Sequence, residues 1–183
     1  MEMNLPTSVQ RLGRFIALIV FISAAAAGAA FAQSSDRGGF TFLVSLGAGI
    51  QSDAALEETK AGIAGINFGV GGFIKPNMAI LGRLSGTSAS YDTDFGEISQ
   101  TSGVFGPSLQ YWMNDKVYVE GGVGVGFWNI EDGNDQGLGV LLGAGYTVWN
   151  RGKHNLQVAV EYAPVLTDTK VHNFGFTFGY QLF

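Results

Sequence analysis

The sequence predicts an all-β fold: an eight-stranded antiparallel up-and-down transmembrane β-barrel after a cleaved signal peptide. Three observations support this prediction. Apolar and small polar residues alternate with a period of two in eight segments, and the connections between these segments are alternately short and long. The few charged residues within the segments all lie on the face that is not apolar.

Residues 1–32 are predicted to be a signal peptide and residues 33–183 the β-barrel domain. Arg11 and Arg14 precede a long apolar run, which ends in Ala30-Phe31-Ala32, a small-x-small triplet of the kind that signal peptidase accepts. A membrane anchor needs about 20 apolar residues, and this run is close to that length. The triplet and the alanine-rich second half of the run favour cleavage over anchoring.

The composition of the predicted mature chain excludes several classes of function. Loss of Glu2, Arg11 and Arg14 with the signal peptide leaves 8 basic and 14 acidic residues. We expect no nucleic-acid partner, because binding to phosphates needs Lys and Arg. The chain has no cysteine, which excludes disulfides and thiolate chemistry. We also expect no cofactor.

The predicted strands share one apolar face and one face of Gly, Ser, Thr, Asn and Gln. They are 40–50, 62–74, 78–87, 100–112, 117–128, 138–149, 155–163 and 172–183. The short turns between them are 75–77, 113–116 and 150–153, and the longer polar links are 51–61, 88–99, 129–137 and 164–171. A barrel with both termini at one end requires this alternation, and membrane barrels keep the short turns on the periplasmic side.

The alternative fold is a soluble eight-stranded barrel such as a lipocalin, which turns its apolar face inward. The predicted strands contain only three charged residues, Arg83, Glu120 and Glu161, all on the Gly/Ser/Thr face. In a lipocalin-like barrel this Gly/Ser/Thr face would be the exterior, and with only three charges it would be poorly soluble. A charge facing lipid at mid-depth costs about 2–4 kcal/mol, so these residues belong inside. The glycines then suit a narrow lumen that side chains fill.

Two segments on either side of a tight turn, VFGPSLQYW (104–112) and VYVEGGVGVG (117–126), resemble the central hairpin of small bacterial outer-membrane β-barrel proteins of the OmpA/OmpX-like type. The resemblance implies a location in the outer membrane of a Gram-negative envelope. It also implies contact with outer-membrane lipids and lipopolysaccharide, and insertion by the barrel-assembly machinery.

The terminal Phe183 is similar to the C-terminal assembly signal of these proteins. That signal usually has an aromatic or apolar residue third from the end, where this chain has Gln181. Phe178 and Tyr180 lie on the other phase of the strand from Phe183. We therefore expect a bulge or a change of phase at the last residue.

We interpret Arg83, Glu120 and Glu161 as a polar network inside the barrel, at depths of about 10–20 Å from the periplasmic turns. A guanidinium between two carboxylates makes a paired, hydrogen-bonded core. This core fills and specifies the interior of the barrel; a gate or a proton path is the alternative interpretation. Tyr118 is expected to point the opposite way from Glu120, at the membrane interface.

No catalytic residue is predicted, and the protein is not expected to be an enzyme. Some small outer-membrane barrels modify lipid A with a His–Ser pair near the membrane edge. His172 has a suitable height, but Asn173 and Phe174 follow it and no serine is adjacent. His154 lies beside a periplasmic turn.

The outer end is predicted to be acidic, with ten acidic residues in the long links against Lys60 and Lys170. The acids singled out there are Asp92, Asp94, Glu131, Asp132 and Asp135. This rim is either plain solvated surface, or a site for divalent cations that bridge to lipopolysaccharide phosphates, or a contact for a basic partner. Residues 131–135 lack the spacing of an EF-hand, so no defined metal site is predicted.

The sequence thus favours an integral outer-membrane protein with a structural or surface-interaction role and a largely filled lumen. A narrow porin-like channel for small solutes is the first alternative, and a lipid A-modifying enzyme is the second.

Overall fold

The computed structural model describes residues 37–53, 58–93, 96–130, 133–167 and 170–183. The predicted signal peptide lies outside these residues. The strands are β1 (Gly39–Asp53), β2 (Glu58–Lys75), β3 (Met78–Thr93), β4 (Gly96–Trp112), β5 (Val117–Ile130), β6 (Gly133–Arg151), β7 (His154–Tyr162), β8 (Val165–Leu166) and β9 (Lys170–Leu182). Within the described residues no helix is long and apolar enough to cross a membrane.

The strands form one closed antiparallel ring, since β9 pairs with β1. β7 pairs with β6 and β9 as far as Tyr162, and the short β8 then continues the pairing with the same two strands. Pro164 separates β7 from β8, because proline has no N–H to give to the ladder. β7 and β8 therefore occupy one strand position in the barrel, and the predicted eight-stranded up-and-down barrel is confirmed.

The strands are longer at the outer end than the sequence predicts. The short periplasmic turns agree with prediction to within one or two residues, but β2 begins at Glu58, β3 ends at Thr93 and β6 begins at Gly133. The predicted links 51–61 and 88–99 are therefore mostly paired strand. Ladder hydrogen bonds join backbone groups, so a polar sequence does not end a strand by itself.

The two faces of the wall differ as predicted. Large apolar side chains such as Leu46, Ile66 and Phe176 are exposed on the outside, whereas Gln, Asn, Ser and Thr side chains are buried inside. Ala64 is a correction: alternation within residues 62–74 predicts it on the apolar outer face together with Ile66 and Phe68, but it is buried in the lumen. The register of β2 against β3 shifts between Ala64 and Phe68, and such a bulge moves the residues before it to the other face.

Space in the lumen is short, as the pair Gly145 and Tyr118 illustrates. The two residues are partners across β5 and β6, and a Cβ atom at Gly145 would overlap the ring of Tyr118. At Gly143, two residues earlier on the same face, the nearest atom to an added Cβ would be 3.6 Å away. The absence of a side chain at Gly145 therefore leaves room for the ring of Tyr118. At Gly143 no neighbouring side chain needs such room.

We predict that Gly145→Ala lowers the free energy of unfolding by about 1–3 kcal/mol, the usual cost of overpacking. Gly143→Ala is the matched control and should change it by less than about 0.5 kcal/mol. Denaturant unfolding of the protein in lipid vesicles measures both. If Tyr118→Leu does not relieve the cost of Gly145→Ala, the overlap with the ring is not its cause.

Candidate functional site: the filled lumen

The centre of the lumen holds the three charged residues that the sequence places on the strands. Arg83 on β3, Glu120 on β5 and Glu161 on β7 are buried, with 1%, 6% and 8% of their surface exposed. Arg83 Nη2 lies 2.6 Å from Glu161 Oε1, and Arg83 Nε lies 2.8 Å from Glu120 Oε1. The first contact is also a hydrogen bond, whereas the second lacks hydrogen-bond geometry and is an ion pair only.

Neutral side chains donate further hydrogen bonds to both carboxylates. Glu161 Oε2 accepts hydrogen bonds from Ser85 Oγ at 2.6 Å and Asn67 Nδ2 at 2.9 Å. Glu120 Oε1 accepts one from Ser108 Oγ at 2.6 Å. The oxygen of the Asn67 amide is held in turn by the backbone N–H of Gly86. Each carboxylate thus has a donor besides the arginine, as buried charges require.

The predicted interfacial position of Tyr118 is wrong. Tyr118 is almost fully buried in the lumen, where its hydroxyl accepts a hydrogen bond from Gln157 Nε2 at 3.0 Å. Side chains two residues apart on a strand share a face, so Tyr118 lies on the same side as Glu120. The period of two, applied to this pair, is the signal that identifies Tyr118 as an interior residue.

An aromatic cluster fills the periplasmic end of the lumen. We call this cluster the plug. It consists of Phe73, Ala79, Trp112, Tyr118, Ala159 and Phe183. The rings of Phe73 and Trp112 meet the ring of Phe183 edge to face, with centroids 5.6 Å and 5.4 Å away. Such aromatic pairs stabilise the fold by more than the burial of their apolar area alone would.

The expected bulge at Phe183 is wrong. The pairing of β9 with β7 runs without a shift to Leu182, and the N–H of Phe183 continues it by donating to Lys153 O. Phe183 therefore keeps the phase of Gln181 and points into the lumen. The aromatic residues of β9 that face lipid are Phe174, Phe176, Phe178 and Tyr180. The role of Phe183 as an assembly signal stays a prediction.

Arg37 covers the plug from the periplasmic side. Its guanidinium lies 4.2 Å above the ring of Trp112 and 5.5 Å from that of Phe183, in cation–π geometry. It also donates to Asp115 O at 2.6 Å, so the chain before β1 is tied to the β4–β5 turn across the mouth. Burial lowers the pKa of Arg37, and the Asp115 carboxylate offsets part of this effect.

The outer half of the lumen is also filled. Gln51 Nε2 donates to Ser102 Oγ, which donates to Asn173 Oδ1, both at 2.8 Å. Beside this chain lies an apolar cluster of Val104, Leu141, Ala163, Val165 and Val171. A cavity bordered by Asn67 and Glu161 holds about 10 Å³, which is at the lower limit for one water molecule.

The predicted acidic rim is described only in part. Asp94, Glu131 and Asp132 lie outside the described residues, while Asp92 lies on β3 opposite Glu97 on β4 and Asp135 lies on β6. These last positions are strand rather than loop. Within the described part of the chain no group of three or more His, Asp or Glu residues is arranged to hold a metal ion. The divalent-cation hypothesis stays untested.

The structure brings a serine to His172 that the sequence does not reveal. Ser52 on β1 is the cross-strand partner of His172 on β9. His172 Nδ1 lies 2.7 Å from the hydroxyl of Tyr162, and Thr59 Oγ1 donates to Ser52 Oγ at 3.2 Å. The pairing joins the two ends of the barrel domain, so no local motif could have shown it.

A closed antiparallel ring with an apolar exterior and a filled polar interior defines a small transmembrane β-barrel protein. The model of the family described as outer membrane protein beta-barrel domain matches residues 16–181. The chain belongs to this family and is a protein of the Gram-negative outer membrane. The match begins within the predicted signal peptide, whose cleavage stays a prediction.

Solved structures with the same fold are similar to this chain at low sequence identity. Ail of Yersinia pestis, in complex with the heparin analogue sucrose octasulfate, matches with a TM-score of 0.54 and 14% identity over 78% of this chain and 99% of that one. Neisserial surface protein A matches with a TM-score of 0.53 and 14% identity over 78% of this chain and 96% of that one. No curated protein sequence matches significantly.

We predict that Arg83→Met lowers the free energy of unfolding by about 3–5 kcal/mol, because it leaves two carboxylates buried without a cation. The control is Arg151→Met, the same change at the exposed last residue of β6, which should cost less than about 0.5 kcal/mol. Denaturant unfolding in vesicles compares them.

A triple variant separates charge from packing. Arg83→Met combined with Glu120→Gln and Glu161→Gln removes all three charges while keeping their volume, so it should be more stable than Arg83→Met alone. A triple variant no more stable than the single one would contradict this explanation.

Proposed function

We propose that this outer-membrane protein is a closed, non-conducting barrel with a structural role that also presents its outer hairpins as an interaction surface. The observation that carries the proposal is the continuous filling of the lumen by the plug, the ion pairs around Arg83 and the outer cluster of Val104 and Leu141. A channel needs a water-filled path, and an interior of eight strands is only wide enough for side chains.

The outer hairpins support the interaction part of the proposal. Paired strand continues past the apolar band into polar sequence, as far as Asp53 and Glu58 in one hairpin and Thr93 and Gly96 in the next. Ladder pairing makes these extensions more rigid than free loops. We infer that their acidic residues meet the lipopolysaccharide layer through divalent cations, and that the chain reaches the membrane through the barrel-assembly machinery.

We predict no discrete conductance steps when the refolded protein is added to planar bilayers. The combined variant Trp112→Ala and Phe183→Ala, which opens only the plug, should also be silent because the layers around Arg83 and Val104 remain. An open porin added under the same conditions is the positive control. Steps with the unmodified protein would overturn the proposal and favour the porin-like alternative.

A lipid-modifying enzyme is the second candidate, and the observation in its favour is the pairing of Ser52 with His172. Acyl transfer also needs hydrogen-bond donors for the oxyanion. Gln51 and Asp53, on either side of Ser52, are paired with both β2 and β9, so their N–H groups serve the ladder. We therefore propose that the hydrogen bonds of His172 with Tyr162 and of Ser52 with Thr59 are interfacial polar contacts without catalysis.

Expression of the protein in a host with defined lipid A should leave the mass of lipid A unchanged. The same spectrum should be obtained with Ser52→Ala and with His172→Ala, and mass spectrometry of extracted lipid A measures all three. A mass change that the unmodified protein produces and either variant abolishes would establish the enzyme and sink the non-catalytic role.

A further inference from the structure

A groove of about 1040 Å³ opens at the periplasmic end of the barrel, and we call it the periplasmic groove. Its lining includes Arg37, Asp115 and Lys116 near the β4–β5 turn, and Trp149 and Lys153 near the β6–β7 turn. The plug residue Phe183 also lines it. This volume is of the size that binding pockets for small molecules have.

The lining of the periplasmic groove is cationic on the side of the turns. The carboxylate of Asp115 is 3.5 Å from Arg37 and is therefore already paired. Lys116 and Lys153 are exposed, and in the described part of the chain no salt bridge joins either of them to a carboxylate. Two ammonium groups at the edge of one groove are thus available to an anion.

The other side of the groove is apolar and faces lipid. Val148 and Trp149 line it and are 50% and 46% exposed on the outer surface of the barrel. The register of β6 against β7 shifts between Thr147 and Trp149, so β6 has one extra residue at this point. Thr147, which faces the lumen, is therefore followed directly by two residues that face lipid. The groove therefore runs over the rim, from the cationic mouth to the hydrocarbon surface.

We propose that the periplasmic groove binds an anionic phospholipid of the inner leaflet, with its phosphate between Lys116 and Lys153 and an acyl chain along Val148 and Trp149. A free phosphate would use the lysines but not the apolar side. Trp149 marks the height of the headgroups, since tryptophan is enriched at membrane interfaces. Basic pockets beside membrane-spanning segments bind anionic headgroups by the same attraction.

Quenching of Trp149 fluorescence by brominated lipid tests the proposal. The full mature protein is reconstituted in phosphatidylcholine vesicles with a minor fraction of phosphatidylglycerol, and the bromine is placed on one lipid or the other. At equal fractions of brominated lipid, brominated phosphatidylglycerol should quench more strongly. Trp149→Phe supplies the background of Trp112 and Trp128, which the wall shields from lipid, and should show no such preference.

The lysines are tested by substitution. Lys116→Gln and Lys153→Gln should each reduce the preference for phosphatidylglycerol by about fivefold, the usual contribution of a lysine near an anionic surface. Lys170→Gln, an exposed lysine at the opposite end, should leave it unchanged. Two results would overturn the proposal. One is equal quenching by both lipids, and the other is an unchanged preference for phosphatidylglycerol in the variant that carries both Lys116→Gln and Lys153→Gln. Equal quenching by both lipids together with saturable binding of inorganic phosphate would assign the site to free phosphate instead.

Discussion

The absence of water in the hydrocarbon is the constraint on which the rest of this structure depends. Every backbone N–H and C=O in the wall must be paired within the protein, because each unpaired group costs several kcal/mol there. The pairing of β1 with β9, from Phe42 with Leu182 to Asp53 with Val171, removes the two edges that an open sheet would expose. The break at Pro164 obeys the same rule: its carbonyl accepts from Val140 N, and Ala163 N donates to Asn173 O.

Closure with so few strands makes the lumen narrow, and the narrow lumen explains the composition. The 28 glycines are poor strand formers, but several of them stand where a large inward side chain needs the room. A Cβ atom at Gly69 would lie 2.9 Å from Arg83 Cδ, and one at Gly139 would lie 2.7 Å from the methyl groups of Val104. Glycine on one strand and a large residue on its neighbour thus fill most of the interior.

The sequence was sufficient for what depends on one strand at a time. Alternation predicted the wall and its two faces, and the turn around Pro76 was placed almost to the residue. What depends on pairing was not predictable: the phase shift at Ala64, the meeting of Ser52 with His172 and the contact of Arg37 with the β4–β5 turn all join distant residues. The outer strand ends were misplaced because ladder bonds are insensitive to side-chain polarity.

The arrangement of charge restricts where this protein can meet a partner. Arg83 and the two carboxylates are bound to one another and to neighbouring hydroxyl and amide groups, so the centre of the lumen has little left to offer a ligand. The wall itself faces only lipid chains. The chemistry that remains accessible therefore lies at the two ends, which differ in sign: acidic residues on the outer hairpins, and Lys116 and Lys153 at the periplasmic mouth. The closed barrel that we propose acts through these two ends, each facing a different layer of the envelope.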